Sequence, residues 1–146
     1  MKPYVLVLFG GRSNEREVSV VTGNAVTQAL IATGYKVKSI DVGENIESIL
    51  ANLDPKPDVV FNALHGQFGE DGYIQTVLET TGIPYTHSGV IPSAIAMDKV
   101  LSKKVFLKNN IKTPKYILYL FNKSKSELIK NIEKKLKFPV VLKPIN

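Results

Sequence analysis

Residues 65–72, His-Gly-Gln-Phe-Gly-Glu-Asp-Gly, gather one imidazole, two carboxylates and three glycines between the apolar run Val59 to Leu64 and a helical pattern. Open α/β sheets place their ligands at strand ends, so this loop reads as half of an active site. A lone loop histidine is more often a hydrogen-bonded structural residue than a catalytic one. For His65 the neighbouring Gly66, Gly69 and Gly72 favour the functional reading, because they permit close backbone approach to a substrate. Glu70 and Asp71 either orient side chains or cap the next helix, with capping favoured for Asp71. His87, beside Ser88 and Gly89, reads as structural.

A second loop, Gly10 to Ser19, is a glycine turn running into a helix start, where free N–H groups create a local positive field suited to an anion. Glu15 sits at that same terminus. It either complements the helix dipole or offers a negative charge to an ammonium ligand. The spacing is not the G-x-G-x-x-G of dinucleotide sites. Lys99 and Lys143 stand apart from the other lysines. One begins an apolar helical surface; the other ends the run Pro139-Val140-Val141-Leu142, where an ammonium would be held for a phosphate. The alternative for both is a lysine whose stem covers apolar surface while its head stays in water. Zero cysteines exclude disulfides, thiolate nucleophiles and cysteine-bound zinc, and two histidines leave little for a transition metal. A hard cation such as magnesium remains compatible.

The elements that would position these loops alternate between strand and helix, which predicts βαβ units around a mainly parallel sheet. Strands are expected at Tyr4 to Phe9, Lys36 to Asp41, Asp58 to Leu64 and Pro84 to Thr86. Helices are expected at Glu17 to Thr33, Ile46 to Leu53 and Tyr73 to Thr81. In the first helix Val18, Val21, Ala25, Ala29 and Ala32 recur at helical spacing, which predicts that this face meets the sheet, with Gly34 closing the helix. Pro92 starts a helix expected to run to Asn109. A strand at Lys115 to Phe121, a helix at Ser124 to Lys137 and a strand at Val140 to Lys143 complete the pattern.

The 146 residues, 44% hydrophobic, suffice for one core or one core and part of a second. The net charge of +6 conceals an asymmetry: residues 1–97 carry six Lys/Arg against ten Asp/Glu, and residues 98–146 carry thirteen against three. The basic segment suits either solvated helix faces or a polyanion, but it lacks the interleaved aromatic and arginine residues of base readout. No apolar run reaches a membrane span and no signal peptide is visible, so a cytoplasmic protein is expected.

Five segments, taken together, resemble the D-alanine–D-alanine ligases of the ATP-grasp superfamily. They are Val7 to Ser19 (VLFGGRSNEREVS), Ala63 to Ile74 (ALHGQFGEDGYI), Pro84 to Gly89 (PYTHSG), Ser93 to Lys99 (SAIAMDK) and Phe138 to Pro144 (FPVVLKP). Thr76 departs from the family, which more often has glycine there. The resemblance implies an α/β fold: a Rossmann-like parallel-sheet domain preceding the ATP-grasp, residues 1–97, then the start of an incomplete ATP-grasp domain, residues 98–146. It implies ATP-driven joining of two D-alanines through an acylphosphate, for the peptidoglycan precursor. By the same resemblance Glu15 would anchor the first D-alanine ammonium with Val18 adjacent. His65 would lie near the reacting carboxylate with Glu70 in support, and Lys99 and Lys143 would hold the nucleotide phosphates. Magnesium ligands are expected beyond Asn146, as is the loop that covers the phosphates, so the 146-residue chain alone is expected to be inactive. The implied partners are D-alanine, ATP and a second copy bound through the N-terminal domain, with no nucleic acid and no membrane. Two other classes compete: a noncatalytic module that binds an amino acid or dimerises, and a nucleic-acid binder using the basic segment.

Overall fold

Tyr4–Phe9 (β1) is apolar at nearly every position, as a strand covered on both faces must be. A computed structural model of the chain describes residues 2–43, 47–119 and 124–145, with the backbone alone at 47 and 48. In it β1 is the central strand of a parallel sheet. Lys36–Asp41 (β2) pairs along one edge, with Tyr4 opposite Lys36 and Phe9 opposite Asp41. Val59–Asn62 (β3) pairs along the other, with Val5 opposite Val59 and Leu8 opposite Asn62. The resulting order is β2-β1-β3. The strand expected at Pro84 to Thr86 is reduced to a single parallel bridge between Val60 and Tyr85.

Alternation along β1 builds two core layers. Leu6 and Leu8 point into a cluster with Val60 and Leu64, to which Glu47–Ala51 (α2) contributes Ile49 and Tyr73–Thr81 (α3) contributes Ile74 and Leu78. Val5 and Val7 point the other way, toward Val26 and Leu30 of Arg16–Ala32 (α1). The expected start of α2 at Ile46 lies outside the described residues.

The face expected to bury α1 is the exposed one. Val18 and Val21 are 54% and 69% exposed, and Ala25, Ala29 and Ala32 also face solvent. The sheet instead receives Ser19, Gly23, Val26 and Leu30, a stripe at the same helical spacing that is small at its first two positions and apolar at the last two. Gly23 explains the choice, since a Cβ there would run into the ring of Phe9. Close approach of the helix to Phe9 requires a small residue at 23, which fixes the rotation of α1 about its axis. The helix ends as expected: Gly34 adopts φ +82°, and Tyr35 N–H donates to Leu30 O at 3.0 Å.

The chain divides into two compact units, Met1–Ile95 and Ala96–Asn146. The helix expected from Pro92 to Asn109 is two helices, Val90–Met97 (α4) and Lys99–Lys108 (α5). Asp98 separates them because its carboxylate caps α5, accepting from Val100 N–H and Leu101 N–H, both at 2.8 Å. Ser124 caps Lys125–Lys135 (α6) in the same way. The strands expected at Lys115 to Phe121 and Val140 to Lys143 do not form among the described residues; Leu120 and Phe121 lie outside them. A strand exists only as a ladder with a neighbour, and neither segment has one.

Candidate functional site

The glycine turn after β1 and the loop after β3 meet at the carboxyl end of the sheet, held there by hydroxyl groups of α1 and the residues leading into it. Ser19 Oγ, fully buried, accepts from Gly10 N–H at 2.8 Å and donates to Ala63 O at 2.7 Å. Ser13 Oγ accepts from Glu15 N–H at 3.1 Å and donates to His65 O at 2.7 Å. Thr22 Oγ1 lies 3.1 Å from His65 Nε2. Each hydroxyl offers one proton and two lone pairs, so each can tie two strands of chain together. Gly66 turns the second loop away with φ +70°, and a Cβ there would press on Ser13 Oγ at 3.2 Å and Glu15 Oε2 at 3.4 Å.

This clamp brings Glu15, His65 and Glu70 together: one donor atom from each lies within 4.8 Å of the others. Glu15 is the N-cap residue just before α1 but makes no side-chain capping bond to the helix N–H groups. Glu70 accepts from Gly66 N–H at 2.6 Å, which fixes it beside the cluster. Asp71 closes the loop, accepting from Phe68 N–H at 2.9 Å and from Tyr73 N–H in the first turn of α3 at 3.1 Å. His87 stands outside the cluster, its Nε2 2.8 Å from Asn62 O.

Separations up to 4.8 Å bound what the cluster can hold. Acceptors arranged tetrahedrally around an ammonium at about 2.9 Å stand about 4.7 Å apart. Ligands of a magnesium ion, at about 2.1 Å from the metal, stand about 3.0 Å apart when adjacent and about 4.2 Å when opposite, so the same bound also admits a metal cation. His65 also borders a cavity of about 170 Å³ over Leu64 and Ile74, whose rim carries Arg12, Phe68 and Tyr73. The Arg12 guanidinium lies 3.7 Å from the centre of the Phe68 ring. Glu15 and Glu70 do not line this cavity, so His65 stands between it and the acidic pair.

Arg16, next to Glu15, forms a bidentate pair with Asp41 at the end of β2, at 2.7 and 2.5 Å, and donates to Gly11 O at 3.0 Å. Hydrogen bonding to Arg16 holds the Asp41 carboxyl below its ordinary range, and the same bond raises Arg16. Ser13, Ser19, Thr22, Arg16 and Asp41 escaped the sequence reading. Hydroxyls at 19 and 22 on a helix entering a strand-end loop were the available signal; the Arg16–Asp41 pair left none, since it joins residues 25 apart. Val18 lies one turn beyond Glu15, and its carbonyl accepts from Thr22 Oγ1 at 3.0 Å.

In the second unit Lys99 begins α5, and both its N–H and its Nζ donate to Ile145 O, at 2.9 and 3.3 Å. That brings the start of α5 beside the segment carrying Lys143, which is exposed.

Residues 46–88 match the family model for the D-alanine–D-alanine ligase N-terminus, and residues 96–146 match that for a RimK-like ATP-grasp domain. The D-alanine–D-alanine ligase of Pelagibacter ubique (strain HTCC1062) is 58% identical over 146 residues, covering 100% of this chain and 47% of that protein. Over its whole length the chain is similar to the N-terminal portion of a D-alanine–D-alanine ligase. The ligase of Wolbachia pipientis wMel is 47% identical over 147 residues, covering 100% of this chain and 44% of its own length. The chain thus spans less than half the length of these curated relatives. Among solved structures, the Bacillus anthracis ligase complexed with ATP is 31% identical with a TM-score of 0.69, over 90% of this chain and 54% of that one. The fold is that of the family: a Rossmann-like parallel sheet followed by the start of an ATP-grasp domain.

Proposed function

We propose that this chain supplies the first D-alanine site and part of the nucleotide grip of an ATP-dependent, cytoplasmic D-alanine–D-alanine ligase serving peptidoglycan precursor synthesis. The observation that carries the reading is the Glu15, His65 and Glu70 cluster, with separations that admit an ammonium, in a chain similar to these ligases. Glu15 receives the substrate ammonium, with Val18 beside that subsite. His65 lies near the carboxylate where negative charge develops, and Glu70 holds the loop that carries it. Lys99 and Lys143 serve as phosphate ligands, which suits two ammonium groups on neighbouring segments.

In the proposed reaction the first D-alanine carboxylate attacks the γ-phosphorus of ATP and ADP leaves. The amine of the second D-alanine then adds to the acylphosphate carbonyl, and phosphate departs from the tetrahedral adduct. The chain's residues work by positioning and electrostatics, without a protein nucleophile. Magnesium, when bound, would neutralise phosphate charge. Among the described residues Glu15, His65 and Glu70 gather three candidate ligand atoms, and their spacing does not single out a metal ion over an ammonium. The exposed stripe of Val18, Val21 and Ile31 on α1 supports pairing with a second copy through the first unit.

The test is a fusion of this chain to the C-terminal remainder of the Pelagibacter ligase. The fusion is expected to release ADP in a D-alanine-dependent manner, whereas the 146-residue chain alone, spanning 47% of that relative, is expected to show no turnover. Glu15→Gln and His65→Ala in the fusion should each lower kcat/KM for D-alanine at least about tenfold, or roughly 1.4 kcal/mol. A folded fusion without turnover, or variants with unchanged kinetics, would sink the assignment.

A further inference from the structure

We propose that Thr22 is a positioning residue that holds His65 as its Nε2–H tautomer, leaving Nδ1 as the ring nitrogen that meets the ligand. Thr22 has a single hydroxyl proton, and an acceptor for it lies one turn earlier: Oγ1 is 3.0 Å from Val18 O, the usual helical back-bond of threonine, and we assign the proton there. Toward His65 Nε2, at 3.1 Å, the same oxygen has only lone pairs to offer. The hydrogen of that contact therefore belongs to Nε2. It stays there whether the ring is neutral or doubly protonated, so a proton that comes and goes does so at Nδ1. The charged groups clustered with His65 are Glu15 from the start of α1 and Glu70 from its own loop. Ser13 sets the His65 backbone through its carbonyl, and Thr22 sets the ring, so the residue is held at two points, one from the loop before α1 and one from α1 itself.

The consequence for catalysis rests on the ligase reading above, but the tautomer is read on the free protein. The chain contains two histidines, so ¹⁵N-histidine labelling with His87→Gln isolates His65. On the alkaline side of imidazole titration, about pH 8.5, the pyridine-like nitrogen signal is expected at Nδ1. Thr22→Val is expected to shift the tautomer ratio about fivefold, as loss of one ordinary hydrogen bond dictates, and Thr22→Ser to restore it. Should Thr22→Val unfold the chain, judged by its amide spectrum, Thr22→Ala is compared with Thr22→Ser instead. A wild-type spectrum with the proton on Nδ1, or a hydroxyl-free variant with an unchanged ratio, overturns the proposal. Adding D-alanine tests the other claim: a spectrum that does not move counts against the substrate site and leaves the tautomer result standing.

Discussion

β1 and residues 140–143 are both short apolar runs, and they meet opposite fates. In β1, Leu6, Val7 and Leu8 are completely buried, with a parallel neighbour on each edge and helices over each face. In the second unit, Val141 and Leu142 are 80% and 84% exposed, and neither α5 nor α6 has a buried residue. The same local preference for extended structure becomes a strand only where a ladder partner and a covering layer exist. The first unit is therefore where mutations should be felt most.

The contrast breaks most easily on core truncation. Leu6→Ala should cost about 2–5 kcal/mol in denaturant unfolding, and Leu142→Ala less than about 0.5 kcal/mol. Equal costs would mean the two units do not differ in packing. Gly23→Ala probes the close approach of α1 to Phe9. It is expected to cost about 1–3 kcal/mol despite improving helix propensity, and a stabilised variant would show that the helix can shift outward. Ser19→Ala strips the partners from Gly10 N–H and Ala63 O. A loss of about 1–3 kcal/mol is expected, with faster amide exchange at Gly10 and none of that change in α6.

The smallest effect is electrostatic. Asp41 is depressed in the folded state by Arg16, so its contribution is present above the unfolded carboxyl value near about 3.9 and is lost as pH falls through the folded value. Wild type should melt slightly above Asp41→Asn at pH 7, and the gap should close in acid. A gap that grows in acid would contradict the pairing. Because both side chains are more than 40% exposed, the effect should also shrink in salt.

Much of this was legible residue by residue. β1 and β2 carry strand signals that need no context, α3 spans the expected residues, and Asp71 binds the first turn of that helix as its position suggested. The family segments singled out Glu15, His65 and Glu70 before any contact between them was visible. Glu15 occupies the N-cap position of α1 without a side-chain cap bond, so its charge still complements the helix dipole while its oxygens are not engaged by the cap N–H groups. The single helix from Pro92 was misread because Asp98 has modest helix propensity and an excellent capping side chain, and the pattern of apolar residues registers neither.

The sequence alone determined where the chain turns, which runs prefer extended or helical backbone, and which loops carry groups able to do chemistry. All of these depend on interactions within a few residues. Only the tertiary structure decided that α1 buries Ser19 and Gly23 instead of Val18 and Val21, that residues 140–143 have no strand partner among the described residues, and that Thr22 reaches the ring of His65. Each of those outcomes depends on the surface a distant segment presents: the ring of Phe9, a missing ladder partner, a loop 43 residues away. Local propensity ranks the choices, and the partner surface selects among them.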